Sequence, residues 1–258
     1  MCSSNSGQGE CDNRLAARLA EGVHEYMSTK DADGSTTVMR EASIGHVKCV
    51  LTLHKLGADM NATNNDGQTA MMMAAIGGHS DCVRLLHQLG ADVNARNKNG
   101  STSLMWAATQ GHGDCVRVLH ELGADVNAVD NYSWTATICA STGGHYECVH
   151  ALHKLGADMN ARNNNGSTAA MMAANRGHSK CLKVLYELGA DMDAKDNNGW
   201  TAVMLAAHAG YCQCVKVLHE CGANVNAKDN NGRTAAMLAA SERHAECVKL
   251  LHQMEADS

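Results

Sequence analysis

The sequence of 258 residues contains no proline and no phenylalanine. At the usual share of about 5%, roughly a dozen prolines would be expected in a chain of this length. Independent loss of proline at every site is implausible, whereas repeated copying of one proline-free unit would explain its absence. The missing proline therefore points to internal repetition.

The sequence also lacks the features of exported, membrane-spanning and nucleic-acid-binding proteins. No stretch reaches the apolar length of a membrane span, and the start, MCSSNSG, has neither the basic nor the apolar region of a signal peptide. The net charge of −6 disfavours a nucleic-acid partner. Without an export signal, the twelve cysteines are expected to be reduced thiols. We expect an intracellular protein, in the cytoplasm with the nucleus as an alternative, and no membrane partner.

A period of 33 residues runs through the chain. Glycine recurs in one register, with Ser133 replacing it once, and threonine follows two residues later each time. The glycines of this register are Gly34, Gly67, Gly100, Gly166, Gly199 and Gly232. Such a period predicts stacked structural repeats. The predicted repeats are 31–63, 64–96, 97–129, 130–162, 163–195, 196–228 and a truncated 229–258.

Each repeat contains two predicted helices, as its second copy shows. Thr69 is expected to cap a first helix that ends at Gly77-Gly78. A second helix is expected from about Ser80 to Leu89, with Gly90 closing it in a left-handed conformation. Its apolar residues lie on one stripe: Cys82, Leu85, Leu86 and Leu89. One helix pair cannot bury such a stripe alone, so neighbouring pairs must stack.

Three motifs of this unit resemble the ankyrin repeat. They are Gly67-Gln68-Thr69-Ala70, then Gly78-His79, then Gly90-Ala91-Asp92-Val93-Asn94-Ala95. The resemblance covers residues 31–258 and implies an all-α fold, an ankyrin-repeat solenoid of helix-turn-helix units joined by β-hairpin-like loops. It also implies a concave binding face, and it marks asparagines of the Asn94 and Asn127 type as hydroxylation targets of the family.

The two ends of the array differ from the repeats between them. Residues 1–30 are expected to form a short polar leader and an N-terminal capping helix near residues 13–28. In the seventh repeat, Glu255 stands where glycine would close the second helix. We therefore expect the C-terminal end to be poorly specialised and to fray.

Histidine and cysteine recur at spacings that could attract a metal, as in His79, Cys82 and His87. Zinc needs about four ligands at ~2.0–2.3 Å. One repeat offers at most three, and equivalent residues of stacked helices lie about 8–10 Å apart. The same spacing disfavours a ladder of disulfides. We therefore expect no metal, no cofactor and no catalytic residue, and a metal or redox sensor remains the least favoured function.

Residues that break the repeat are the candidate binding residues. Tyr132, Trp134 and Trp200 place aromatic rings beside turns where the sister repeats carry small or polar residues. Exposed aromatic residues often dominate protein interfaces, but these rings could instead pack over their own turns. Variable positions expected on the same face are Lys98, Gln110, Asn175, Arg176, His208 and Arg233.

A row of leucines at the end of the predicted second helices of the first five repeats, continued by Cys221 and Met254, leaves two interpretations open. The row comprises Leu56, Leu89, Leu122, Leu155 and Leu188. It is expected to belong to the core, with a partly exposed seam for self-association as the alternative.

Together these features predict a non-catalytic protein–protein interaction scaffold. It would be monomeric or weakly self-associating, and it would bind a protein partner through the concave face and loop tips. The alternative is an architectural or regulatory tether, whose activity another protein supplies.

Overall fold

The computed structural model describes residues 30–256, and within them it contains fourteen α-helices and no strand. The helices are α1 Thr37–Ser43, α2 Val47–Lys55, α3 Ala70–Ile76, α4 Ser80–Gln88, α5 Ser103–Thr109, α6 Gly113–Glu121, α7 Ala136–Thr142, α8 Tyr146–Lys154, α9 Ala169–Asn175, α10 Ser179–Glu187, α11 Ala202–His208, α12 Cys212–Glu220, α13 Ala235–Ser241 and α14 Ala245–Ala256. They form seven consecutive pairs. The predicted all-α repeat fold is confirmed.

The described residues fall into two compact units. The first contains the described residues up to Ala107 together with His112–Asp125, and the second contains Ala108–Gly111 together with the described residues from Val126 onward. In the first unit, α1 packs on α3, and α4 packs on α2 and α6. In the second unit, α7, α9, α11 and α13 pack in sequence, as do α8, α10, α12 and α14.

Threonine caps the first helix of each pair, as predicted. The Thr69 Oγ1 accepts a hydrogen bond from the Met72 backbone N–H at 3.3 Å. This bond satisfies one of the N–H groups that have no partner inside the helix. The other threonines that make the same bond are Thr36, Thr102, Thr135, Thr168, Thr201 and Thr234.

The second helix of each pair contributes fully buried side chains to the core. In α4, Cys82, Val83 and Leu86 have no exposed surface. Leu85 and Leu89 are only half-buried, and Leu89 is the C-cap rather than a residue of the helix. The predicted apolar stripe is therefore correct for two of its four members. The other leucines of the Leu89 row are also half-buried. This burial is intermediate between a core position and an exposed seam, so neither interpretation of the row is selected.

Polar side chains join consecutive repeats inside each unit. In the first unit, the Asn61 side chain donates to the Gly90 carbonyl at 2.9 Å and accepts from the Asp92 N–H at 2.8 Å. In the second, Asn127 makes the same pair of bonds to Gly156 and Asp158. Asparagine suits this position because its amide carries both a donor and an acceptor.

In five of the repeats, a histidine before the second helix forms another connection between repeats. In the first unit, the His79 and His112 Nε2 atoms lie 3.1 and 3.0 Å from the Ser43 and Ile76 carbonyl oxygens of the preceding repeat. In the second unit, His145, His178 and His244 make the same contact. Because a carbonyl only accepts, Nε2 carries the hydrogen in each case. These rings pack into the junctions between repeats.

The second helix of the seventh repeat is longer than those of the earlier repeats. Helix α14 has 12 residues, whereas the second helices before it have 9. Glu255 occupies the place of the closing glycine, so the helix continues instead of stopping at a left-handed residue. The backbone is helical through Ala256, and the expected fraying of this end stays a prediction. The predicted capping helix near residues 13–28 lies outside the described residues, and the repeat boundaries stay a prediction.

Candidate functional site

The turn before α7 presents an exposed aromatic ring. The Asp130 Oδ1 accepts the backbone N–H groups of Tyr132 and Trp134, each at 2.8 Å. Ser133 between them has φ +60, although its sister residues are glycines, and its Oγ donates to the Asn164 Oδ1 at 2.6 Å. Tyr132 is 59% exposed. Trp134 is half-buried.

Three of the predicted binding residues meet around Trp200 in the second unit. The Trp200 and His208 rings lie edge to face, with centroids 5.1 Å apart. The Arg233 guanidinium carbon lies 5.6 Å from the centre of the Trp200 ring. This distance is within the range at which a cation is attracted to an aromatic face. Trp200, His208 and Arg233 are hereafter called the Trp200 cluster.

Hydrogen bonds hold the Trp200 cluster in place. The Asp196 Oδ1 accepts the Trp200 backbone N–H at 2.8 Å, and the Arg233 Nε donates to the Asp229 Oδ2 at 2.8 Å. Burial acts to raise the pKa of Asp229, but hydrogen bonds from Arg233 and Asn231 outweigh it and lower the pKa overall. The Arg233 side chain remains 45% exposed, so its charge is held in place and still reaches solvent.

The other predicted binding residues lie apart along the chain. Gln110 and Arg176 are exposed, and Asn175 is half-buried at the end of α9. Lys98 is exposed and belongs to the first unit, at the tip of the loop before α5. These residues lie on loop tips and at the ends of first helices, and their role in binding stays a prediction.

Metal ligands come together at one place among the described residues. Glu41, His46 and Cys49 offer donor atoms within 4.8 Å of one another. The Cys49 sulfur is already part of a disulfide, so it provides no thiolate for a metal. The His46 Nδ1 instead pairs with the Glu41 Oε2 at 2.8 Å. Two remaining donors are too few for a structural zinc site.

The free thiols of Cys82 and Cys181, which occupy equivalent buried positions of two repeats, are poorly reactive. Burial raises the pKa of the Cys82 thiol to about 11, with a smaller contribution from Asp81, and burial raises that of Cys181 to about 12. A thiol attacks or binds metal as its thiolate, so these groups are poor nucleophiles near neutral pH. These two thiols fill core positions, which counts against their use in a metal or redox sensor.

One expectation about cysteine was wrong. Cys212 and Cys247 form a disulfide across the sixth and seventh repeats, with Cα atoms 5.1 Å apart. The prediction considered only equivalent positions, which are 33 residues apart. These two cysteines are separated by 35 residues, and the offset of two brings them into bridging range.

Two residues of the seventh repeat differ from their counterparts in the earlier repeats. Met237 is 59% exposed, whereas Met204 at the same position of the sixth repeat is fully buried. Arg243 has φ +63 and occupies a position that is glycine in the earlier repeats. The replacement of that glycine was a signal that the sequence offered.

The comparisons with known proteins agree on the family. The family model for ankyrin repeats (three copies) matches residues 5–97, 38–130, 80–163, 122–196 and 188–258. The crystal structure of the human ASB11 ankyrin repeat domain is similar, with 26% identity and a TM-score of 0.77 over 85% of this chain and 98% of that one. A search of curated protein sequences finds no match.

Ankyrin repeats are in general protein-interaction modules, and their fold is typically a non-enzymatic scaffold. Among the described helices, none has the length and apolarity required to span a bilayer. The matches of the family model extend across most of the sequence, and the helix pairs recur in the corresponding register. The chain therefore belongs to the ankyrin repeat family.

Proposed function

We propose that this protein is a non-catalytic scaffold that binds a protein partner through its loop tips and first-helix ends, the side that is concave in ankyrin stacks. The Trp200 cluster is the main anchor, and Tyr132 and Trp134 form a second. Further proposed contacts are Gln110, Asn175 and Arg176 in the second unit, and Lys98 in the first unit.

The observation that carries the proposal is the construction of the Trp200 cluster. Its indole is fixed between His208 and Arg233, and Arg233 is itself fixed by Asp229. A partner would meet a large apolar ring and a charge that are already ordered, so little side-chain entropy would be lost on binding.

The turn at Tyr132 supports the same surface. A serine with positive φ costs on the order of 1–3 kcal/mol, and such residues tend to persist at functional positions. Here the strained residue lies next to an exposed tyrosine ring. Tyrosine supplies contact area at low entropic cost, which suits a binding residue.

Affinity capture with quantitative mass spectrometry tests this function. The bait proteins are the unsubstituted protein, Trp200→Ala, Tyr132→Ala and Tyr186→Ala. Tyr186 is 50% exposed on α10, away from the loop tips, and serves as the matched control. We expect Trp200→Ala to reduce recovery of the main partner at least about tenfold, corresponding to ~1.4 kcal/mol. We expect Tyr186→Ala to leave recovery unchanged, and circular dichroism should show equal helix content.

The proposal fails if Trp200→Ala and Tyr132→Ala recover the same proteins in the same amounts as the unsubstituted bait. An equal loss of partner recovery with Tyr186→Ala would also count against the proposal, because the loss would then not be specific to residues of the loop tips.

A further inference from the structure

The seventh repeat exposes a face that the earlier repeats bury. Met237 in α13 is 59% exposed, whereas the methionine at the same position of α11, Met204, has no exposed surface. Met204 is buried where α11 packs against α13. The Met237 backbone N–H is capped by Thr234 like its counterparts, so the helix itself is ordinary. Helix α13 differs from α11 in that the side carrying Met237 is not covered by another helix pair among the described residues.

A cavity of about 760 Å³ lies along this face. Ala240, Ala245 and Val248 supply apolar walls, and Lys249, His252 and Gln253 are among the polar residues that border it. A second cavity that shares Ala240 and Val248 extends to Met237. The counterparts of Ala240 and Val248 in the sixth repeat, Ala207 and Val215, are completely buried. The two cavities are hereafter called the end groove.

Charge indicates what the end groove can bind. Inside each unit, a basic residue in the middle of one second helix pairs with a glutamate of the next. The Arg84–Glu121 distance is 2.7 Å and the Lys183–Glu220 distance is 3.7 Å. Lys249 holds the same position in α14, where its side chain faces solvent beside the end groove. Arg243 adds a second positive charge at the rim.

Another repeat of the same kind would not fit the end groove. In the sixth repeat, a Cβ on Gly210 would lie 2.7 Å from the ring of His244 in the next repeat. Arg243 takes the place of this glycine in the seventh repeat and keeps the positive φ. Its Cβ would occupy the space that the histidine of a following repeat requires. This geometry therefore disfavours a following repeat with that histidine as the occupant.

We propose that the end groove docks an amphipathic helix of a partner protein, with a short apolar stripe flanked by Asp or Glu. The apolar stripe would cover Met237, Ala240 and Val248, and the acidic groups would pair with Lys249 and Arg243. This site is separate from the loop-tip surface and goes beyond the proposed function.

The test uses two stapled helical peptides of about four turns, whose leucines are spaced by three and four residues. One carries glutamates beside the leucines, and the other carries lysines. Binding to the full chain is measured by fluorescence anisotropy. We expect the glutamate peptide to bind at least about tenfold more tightly than the lysine peptide, a difference of ~1.4 kcal/mol.

Variants locate the binding. Met237→Asp should reduce affinity for the glutamate peptide at least about tenfold. Asp in the first turn of α13 is favourable for the helix, so the fold is preserved. Lys249→Glu should weaken the glutamate peptide and strengthen the lysine peptide. Tyr186→Asp, on exposed α10, is the control and should change neither affinity.

Several results would overturn the proposal. They are equal binding of both peptides, binding unaffected by Met237→Asp, and no binding of either peptide. A dimer in sedimentation that Met237→Asp dissociates would assign the groove to a second copy. A carbodiimide crosslink from Lys249 to an acid among residues 1–29 would assign it to this chain's own N-terminal segment.

Discussion

Two glycines of the second repeat have the same backbone conformation but different surroundings. Gly78 has φ +77 and Gly90 has φ +89. A Cβ on Gly78 would lie 2.7 Å from the His112 Nδ1, whereas a Cβ on Gly90 would have no atom within 4 Å. The backbone thus explains both glycines, but only Gly78 makes room for a ring of the next repeat.

The two glycines can therefore be separated by substitution. Gly90→Ala should cost about 1–2 kcal/mol, the penalty of a left-handed conformation with a Cβ. Gly78→Ala should cost roughly 1–3 kcal/mol more, because the His112 ring must shift. Urea unfolding measures both changes. Adding His112→Ala to Gly78→Ala should remove most of the excess, and a full excess in the double variant would show that the ring is not its cause.

Asp229 makes the stability of the seventh repeat depend on pH in the acid range. Its pKa is below the ordinary value of 3.8, because hydrogen bonds from Arg233 and Asn231 outweigh the opposing effect of burial. A depressed folded-state pKa stabilises the fold above the unfolded-state pKa, and this stability is lost as pH falls through the folded value. The window therefore lies below about pH 4.

Asp229→Asn should flatten this part of the pH profile. Asparagine occupies the corresponding place at Asn163, where its Oδ1 accepts the Ser167 backbone N–H at 2.9 Å, so the turn should survive the change. The measurement is the unfolding free energy of both proteins from about pH 5 to about pH 2. Parallel profiles for variant and parent would contradict the role of Asp229.

At the scale of the element, a disulfide joins the second helices α12 and α14. Cys212 opens α12 where the second and fifth repeats have Ser80 and Ser179. Its bond to Cys247 closes a loop across 35 residues. The chain-entropy account of such a crosslink gives a stabilisation of up to about 4 kcal/mol for a loop of this length.

Cys212→Ser should lower the stability of the sixth and seventh repeats toward that limit, measured by denaturant unfolding without reductant. Serine is tolerated at this helix start in two sister repeats, so the change should report the crosslink rather than packing. Reductant should then lower the parent further than the variant. Identical midpoints for the two proteins in oxidising buffer would show that the bond contributes nothing.

The helices themselves were largely predictable, because each repeat carries residues that begin and end its own helices. Thr69 begins a helix, Gly77-Gly78 ends it and Gly90 ends the next, and the structure places all of these as predicted. Side-chain contacts between repeats could not be predicted in this way. The approach of Arg233 to Trp200 depends on how the turn of one repeat lies over the next, which the spacing of residues alone does not determine.

At the scale of the whole molecule, repetition explains both what was predicted and what was missed. A period of 33 residues predicts the fold because one stacking geometry serves every junction. The same regularity hid Met237, whose neighbours in sequence resemble those of Met204 although its surroundings do not. A residue's burial in a repeat protein depends on whether another pair follows it, and the pattern of its own repeat does not reveal that.

Stability should therefore vary along the second unit. Helices α9 to α12 contact helix pairs on both sides, whereas α13 and α14 contact α11 and α12 on one side. Because repeat proteins are stabilised largely by nearest-neighbour interfaces, amides of α13 and α14 should exchange hydrogen faster than those of α9 to α12. Mass-spectrometric hydrogen exchange would measure this, with reductant added in one series to remove the Cys212–Cys247 crosslink.

Two leucine substitutions sharpen this comparison. Leu185 in α10 and Leu251 in α14 are both fully buried, so alanine at either site should cost about 2–5 kcal/mol locally. Leu185→Ala should accelerate exchange in α8 and α12 as well as α10, because both neighbours lose an interface. Leu251→Ala should accelerate exchange in α13, in α14 and on the adjoining side of α12. Equal and uniform acceleration across the unit by both variants would mean that it unfolds as a single block, and the nearest-neighbour account would then be wrong for this chain.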